Sequence, residues 1–246
     1  MLDKTLLFVG AVFFLAGFVK GVIGLGLPTI AMGLLAIVMP PVEAAGLLIL
    51  PSLLTNAWQM IAGPSLRPLV RRLWPTMLAV CLGTWAGLGL MTGVGARYGT
   101  ALLGGALALY ALMGLFSVRF ALARKRERIL GPATGAITGA ITAATGVFVI
   151  PAVPYLQAIG LEREELVQAL GLSFTVSTLA LSVNVAASGG FDVSIAAPAC
   201  IALVVAGAGM WIGQIARLRL SAGLFRRCFF VGLLLVGVHL IGRSMA

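Results

Sequence analysis

The chain has 246 residues, 61% of them hydrophobic and 10% charged, with a mean hydropathy of +1.11. Several apolar runs exceed the roughly 18 residues that mark a membrane span, and no segment has the composition of a separate soluble domain. The net charge of +10 would suit a nucleic-acid partner in a soluble protein, but here the basic residues sit in short loops, where lipid headgroups and insertion topology account for them.

The first apolar run, residues 6–39, opens like a signal peptide. Its flank sets Asp3 against Lys4 and no small-x-small cleavage site follows, so an uncleaved first helix is expected. The run is interrupted at GFVKGVIGLGLP, residues 17–28. A helix does not pass smoothly through Gly21, Gly24, Gly26 and Pro28, because glycine leaves the backbone unconstrained and proline removes a donor. In lipid such a break is tolerated only inside protein or against a wet cavity, which makes it the first candidate site. Spans are expected next at about 42–62, 73–92 and 98–118, with Pro40, Pro41, Pro64, Pro68 and Pro75 punctuating their entries.

A second broken run covers about 129–159 and contains GAITAATGVFVIPAVP, residues 139–154; spans follow at about 166–187, 193–216 and 224–241. An offset of 122 carries Gly17 onto Gly139, Gly24 onto Gly146, Glu43 onto Glu165 and Arg97 onto Arg219, so the chain reads as two copies of one unit, 1–124 and 125–246. Counting each broken run as one crossing divides Lys and Arg ten against six, Lys20 left out; counting it as a returning hairpin divides them thirteen against three, only Lys4, Arg97 and Arg243 falling on the minor side. The positive-inside rule favours hairpins with both termini outside. Arg67, Arg71 and Arg72 have no basic counterpart around Asp192, as two oppositely inserted copies require. The expected fold is an all-α polytopic membrane protein of two inverted repeats, each a broken-helix hairpin plus three transmembrane helices.

These two glycine motifs, each followed by a short apolar arm and a span that opens near an acid, resemble the sulfite exporter TauE/SafE family of membrane transporters, over essentially the whole chain. The resemblance implies export of small organic or inorganic anions of the sulfite, sulfonate or carboxylate type across a bacterial inner membrane. The first motif is less glycine-rich after Gly26 than the common family form, and the second carries Thr142, Ala143, Ala144 and Thr145 where more glycines are usual. These departures bear on the substrate more than on the fold.

Helix amino termini supply free N–H groups and positive potential for an anion, and new half-helices are expected near Thr29 and near Val147. The residues singled out for the anion path are Lys20, the backbone at Gly24 and Gly26, Thr29, Asn56, Thr145 and Ser177. Lys20 is the one base inside an expected membrane segment, a functional candidate by default; the structural alternative places it at the cytoplasmic surface, snorkelling. Thr55, Asn56 and Gln59 share about one turn, and Ser173, Ser177 and Asn184 lie near one face of the corresponding later span. Such hydroxyls also bond their own backbone, and glycines also serve close helix packing. His239 is a lone histidine near a span end, and the acids all fall at loops or helix starts, Glu43 and Glu165 among them. Cys81, Cys200 and Cys228 have no ligand spacing and read as small core residues.

No nucleotide loop, catalytic triad or metal cluster is present, so no cofactor is expected and an enzyme is disfavoured. Coupling to protons or sodium, and assembly into a homo-oligomer, are both compatible with the composition. The reading is a secondary transporter working by alternating access; the rival is a non-transporting membrane scaffold that packs against a partner protein.

Overall fold

The structure, a computed structural model, describes residues 2–116, 121–190 and 193–245. Among the described residues every element is a helix: α1 (Leu2–Ile23), α2 (Leu27–Leu35), α3 (Pro41–Ile61), α4 (Leu66–Ala86), α5 (Gly93–Leu115), α6 (Arg124–Thr145), α7 (Ala152–Ala158), α8 (Arg163–Ala187), α9 (Val193–Ala216) and α10 (Ala222–Met245). Six of them, α1, α3, α5, α8, α9 and α10, are long and apolar enough to cross a membrane. Arg119, Asp192 and the side chain of Arg97, all used in the loop-charge count, lie outside what is described.

Both breaks are present, and they differ in form. In the first, α1 stops at Ile23, Gly24 and Gly26 take φ of +80° and +115°, and α2 begins at Leu27 with Pro28 in its first turn, where its missing donor costs nothing. In the second, α6 ends on Gly146 at φ +69°, and residues 147–150 run on without helix to a cis Ile150–Pro151 bond. The expected start near Val147 is therefore corrected to Ala152. Pro151 removes one donor, and a helix through Val147 would also have had to pass the left-handed Gly146.

α2 has nine residues and α7 seven, so at helical rise they extend only about 13 Å and 10 Å and neither crosses a bilayer. Eight of the nine residues of α2 are buried, as are residues 147–150. The irregular backbone of the second break is thus enclosed by protein, whereas Gly24 and Leu25 of the first are half-buried and Gly24 lines a cavity.

Helix starts were misplaced where charge precedes apolar sequence. α4 begins at Leu66 rather than Leu73 and takes in Arg67, Arg71 and Arg72; α6 begins at Arg124 rather than Ile129. Hydropathy reports the part of a helix that lipid accepts, whereas the hydrogen-bond ladder continues into the headgroup region. Pro75 lies within α4, as Pro51, Pro132 and Pro198 lie within α3, α6 and α9, so it marks no helix entry.

Close pairs build the bundle: α1 with α9, α4 with α6, α5 with α10 and α3 with α8, while α3 also meets α9 and α8 meets α4. In the first two pairs small residues permit backbone contact. A Cβ on Gly17 would stand 2.1 Å from the Ala206 carbonyl oxygen and one on Gly209 2.3 Å from that of Phe14; Gly135 and Gly139 would each meet α4 carbonyl oxygens at 2.3 Å. Packing is thus the role of Gly17 and Gly139 in the two motifs. α3 and α8 run antiparallel, because Ser52 meets Thr178 while Gln59 and Met60 meet Val167 and Gln168. Arg72 joins α4 to α6 through a two-pronged bond to Glu127, at 2.9 and 2.7 Å, and also donates to the Ile159 carbonyl.

Cys200 and Cys228 are exposed on helix surfaces and Cys81 is half-buried, which corrects their reading as core residues: their helices turn those faces to lipid. Gly209 and Gly207 test the packing. Gly209→Ala is expected to lower the melting temperature of the detergent-solubilised protein, at a cost of about 1–3 kcal/mol for overpacking. Gly207→Ala, where an added Cβ meets nothing within 4 Å, should leave it unchanged.

Candidate functional site

The last turn of α1 carries Lys20 into the protein, where only 4% of it remains exposed. Its amine donates to Thr55 Oγ1 at 3.1 Å and to Asn56 Oδ1. Asn56 in turn donates from Nδ2 to Ser52 Oγ at 2.9 Å, and Ser52 Oγ lies 3.2 Å from Thr178 Oγ1, whose proton goes to the Phe174 carbonyl at 2.6 Å. A continuous polar ladder therefore runs from α1 across α3 into α8, through groups that are all buried. Every group in it besides Lys20 is neutral, and no carboxylate reaches the amine among the described residues. A buried amine with no carboxylate partner is expensive to charge, which makes Lys20 the functional candidate of this region.

A cavity of about 570 Å³, within the usual range for small-ligand pockets, opens beside this ladder. Lys20, Gly24, Thr55 and Gln59 line its inner part, and Gln168, Arg163, Gln214 and Arg217 contribute from α8 and the end of α9. Glu164 is the one acid among its lining residues, against Lys20, Arg163 and Arg217. The ends of α1, α3 and α9 and the start of α8 meet here, so these four termini share one face of the protein. Gln168 holds the floor together: its amide donates to the Met60 and Gly63 carbonyls, both at 2.7 Å, and accepts from the Ser65 N–H at 2.8 Å. Gln59 does similar work, donating to the Val167 carbonyl at 2.8 Å and to that of Gly24 at 3.3 Å.

The structure brings together Lys20, Asn56 and Gly24 of the residues singled out in the sequence. Gly26 packs against Val19 and Phe229 and is absent from the cavity lining. Thr29 is fully buried and spends its proton on the Gly26 carbonyl at 2.9 Å. Thr145 closes the end of α6, donating to the Ile141 carbonyl at 2.7 Å and accepting from the Val147 N–H at 3.2 Å. Ser177 and Ser173 lie buried in α8 and Thr138 in α6, each with no partner for its hydroxyl. Among residues outside the ladder, Glu43 and His239 are exposed, and Glu165 completes a capping box with Glu162 at the start of α8.

Ser52, Gln168 and Gln214 were not foreseen. Ser52 and Gln168 each sit among apolar residues in a span, where a polar side chain is itself the available signal; Gln214 lies too near a helix end to stand out.

One family model, described as Sulfite exporter TauE/SafE, matches residues 9–240. The chain belongs to the TauE/SafE sulfite exporter family. That match includes both breaks and every element of the polar ladder. No curated protein and no solved structure matches the chain. As a TauE/SafE protein it is placed among membrane transporters rather than enzymes, and its six long apolar helices make it a multi-pass membrane protein.

Asn56→Asp offers a direct test of the ladder. A carboxylate at that position would pair with Lys20 internally and compete with any anion drawn to the amine. The variant is expected to fold as well as the parent and to bind anions more weakly by about tenfold or more; unchanged affinity, read by calorimetry, would remove Lys20 from the site.

Proposed function

We propose that this protein is a secondary transporter that exports a small anion of the sulfite, sulfonate or carboxylate type by alternating access, with Lys20 as the charged contact at the inner end of the cavity. The observation that carries the reading is the buried amine beside an open, basic-lined cavity, with only neutral protein partners. An oxyanion there would accept from Lys20 and from the amides of Gln59 and Gln168 if those exchange a backbone carbonyl for the ligand. Charge complementarity sets the ligand's sign, while the mixed polar lining suits a compact oxyanion with no metal.

The alternating-access part rests on the two halves. Exchanging them maps α1 onto α6, α3 onto α8, α4 onto α9 and α5 onto α10, and the helix pairs are preserved: α1 with α9 becomes α6 with α4, and α3 with α9 becomes α8 with α4. With α3 antiparallel to α8, that exchange supports an inverted repeat. We place the cavity on the cytoplasmic side of a bacterial inner membrane, because Arg163, Arg217, Arg67, Arg71 and Arg72 cluster at the ends that face it. In this reading the cavity opens to the inside, the side from which cargo for export is taken up. The unpartnered hydroxyls of Ser177, Ser173 and Thr138 belong to the second half and are candidates for the path once the halves rock.

Two measurements test these assignments. In thermal-shift titrations of the purified protein with sulfite, methanesulfonate, sulfoacetate and acetate, at least one anion should stabilise the parent, and Lys20→Met should lose that stabilisation while remaining folded. Stabilisation kept in Lys20→Met would reject Lys20 as the contact, and a variant that merely misfolds would favour the scaffold reading. For sidedness, cysteines placed at Ser221 and Ser188 in a background free of Cys81, Cys200 and Cys228 should label from opposite sides in intact cells. Only Ser188 should react with an impermeant reagent added outside; the reverse pattern would turn the whole assignment over.

A further inference from the structure

The protein hydrogen bonds around Lys20 match a neutral amine. A neutral amine has two N–H donors and one lone pair, whereas an ammonium has three donors. Two acceptors are present: Thr55 Oγ1, whose own proton is committed to the Pro51 carbonyl at 2.7 Å, and Asn56 Oδ1, turned toward the amine because Nδ2 is held by Ser52. The third donor of an ammonium would find no protein acceptor. Its natural partner is the bound anion.

The charged groups around the site point the same way. α2, which packs on α1, has no titratable side chain, and α10 contributes Arg226, Arg227, Cys228, His239 and Arg243, none of them in the cavity lining. α9 and its end contribute Arg217 on the cavity and Cys200 away from it; α3 carries Glu43 at its opposite end; α8 brings Arg163 and Glu164 to the rim. None of these groups bonds the amine, so no charged side chain supplies an acceptor for a third N–H.

We propose that Lys20 takes up one proton with each anion, so that anion and proton cross together. This rests on the transport reading above and specifies its coupling ion. The proton comes from water in the cavity, adds to the lone pair of Lys20 Nζ as the anion binds, and returns to water when the anion leaves on the other side. Lys20 is then uncharged before the anion binds, and Lys20 with a monoanion has no net charge after it, so the pair adds no net charge on either limb of the cycle.

The test is calorimetric titration of methanesulfonate, sulfoacetate and acetate, whose charges are constant near neutrality, into the purified full-length protein. Repeating each titration in two buffers of different ionisation heat reads the protons taken up per anion. At alkaline pH the expected value is about one proton per anion, and affinity should fall about tenfold per pH unit there, as single-proton linkage requires. Lys20→Arg carries a permanent charge, so where it binds anion it should do so with no proton uptake and no pH dependence. Should that variant fail to fold, the pH profile of the parent decides alone. Binding by the parent with no proton uptake and a flat profile overturns the coupling while leaving the transport reading in place. A well-folded parent that binds none of the three anions overturns the transport reading itself.

Discussion

A bilayer offers backbone amides nothing to bond with, and in this protein two chain segments leave the helix between apolar stretches. The rest of the architecture follows from enclosing them. Gly24 sends its N–H back to the Lys20 carbonyl at 2.7 Å, the Gly26 carbonyl accepts from Ile30 and Thr29, and the Thr145 hydroxyl takes up the Val147 N–H. The longer helices wall these segments off from lipid, leaving α2 almost wholly buried. That enclosure requires helices to approach more closely than ordinary side chains allow. Small residues in α1 and α9, and again in α4 and α6, make the approach possible.

The same enclosure sets up the chemistry. Because α1 stops at Ile23, its final turn delivers a lysine to the place where the break leaves room for a cavity. α3 answers with a hydroxyl and an amide oxygen, and the ladder continues through Ser52 to α8, so the group that faces the ligand is bonded to the contact between the two halves.

The two glycine motifs look alike in sequence but do different work. Gly17 and Gly21 in one and Gly139 in the other are contact positions, since a side chain there would collide with the backbone of α9 or α4. Gly24, Gly26 and Gly146 are the positions whose backbone needs the left-handed region. After the turn the motifs diverge: Pro28 enters a helix at once, whereas Pro151 follows four non-helical residues. The first break has a lysine and a cavity beside it, the second a threonine that closes the helix end. A pair of related folds has thus been assigned unequal tasks.

Much of this was legible in the chain. Apolar run lengths announced the six helices that can cross a membrane, glycine next to proline marked both breaks, and a lone lysine in an apolar run pointed to the residue that the structure buries beside the cavity. These are properties of local sequence, because burial in lipid penalises charge and free amides wherever they occur. The starts of α4 and α6 escaped because hydropathy cannot see a helix that continues into polar surroundings, and the start of α7 because extended and helical apolar segments have the same composition. What only the tertiary structure decided is which polar groups meet. Thr29 and Asn56 are equally plausible donors on paper, yet one hydroxyl is consumed within its own turn while the other side chain reaches across to Lys20. Sequence determines the cost of each buried polar group, and packing determines the partner that offsets it.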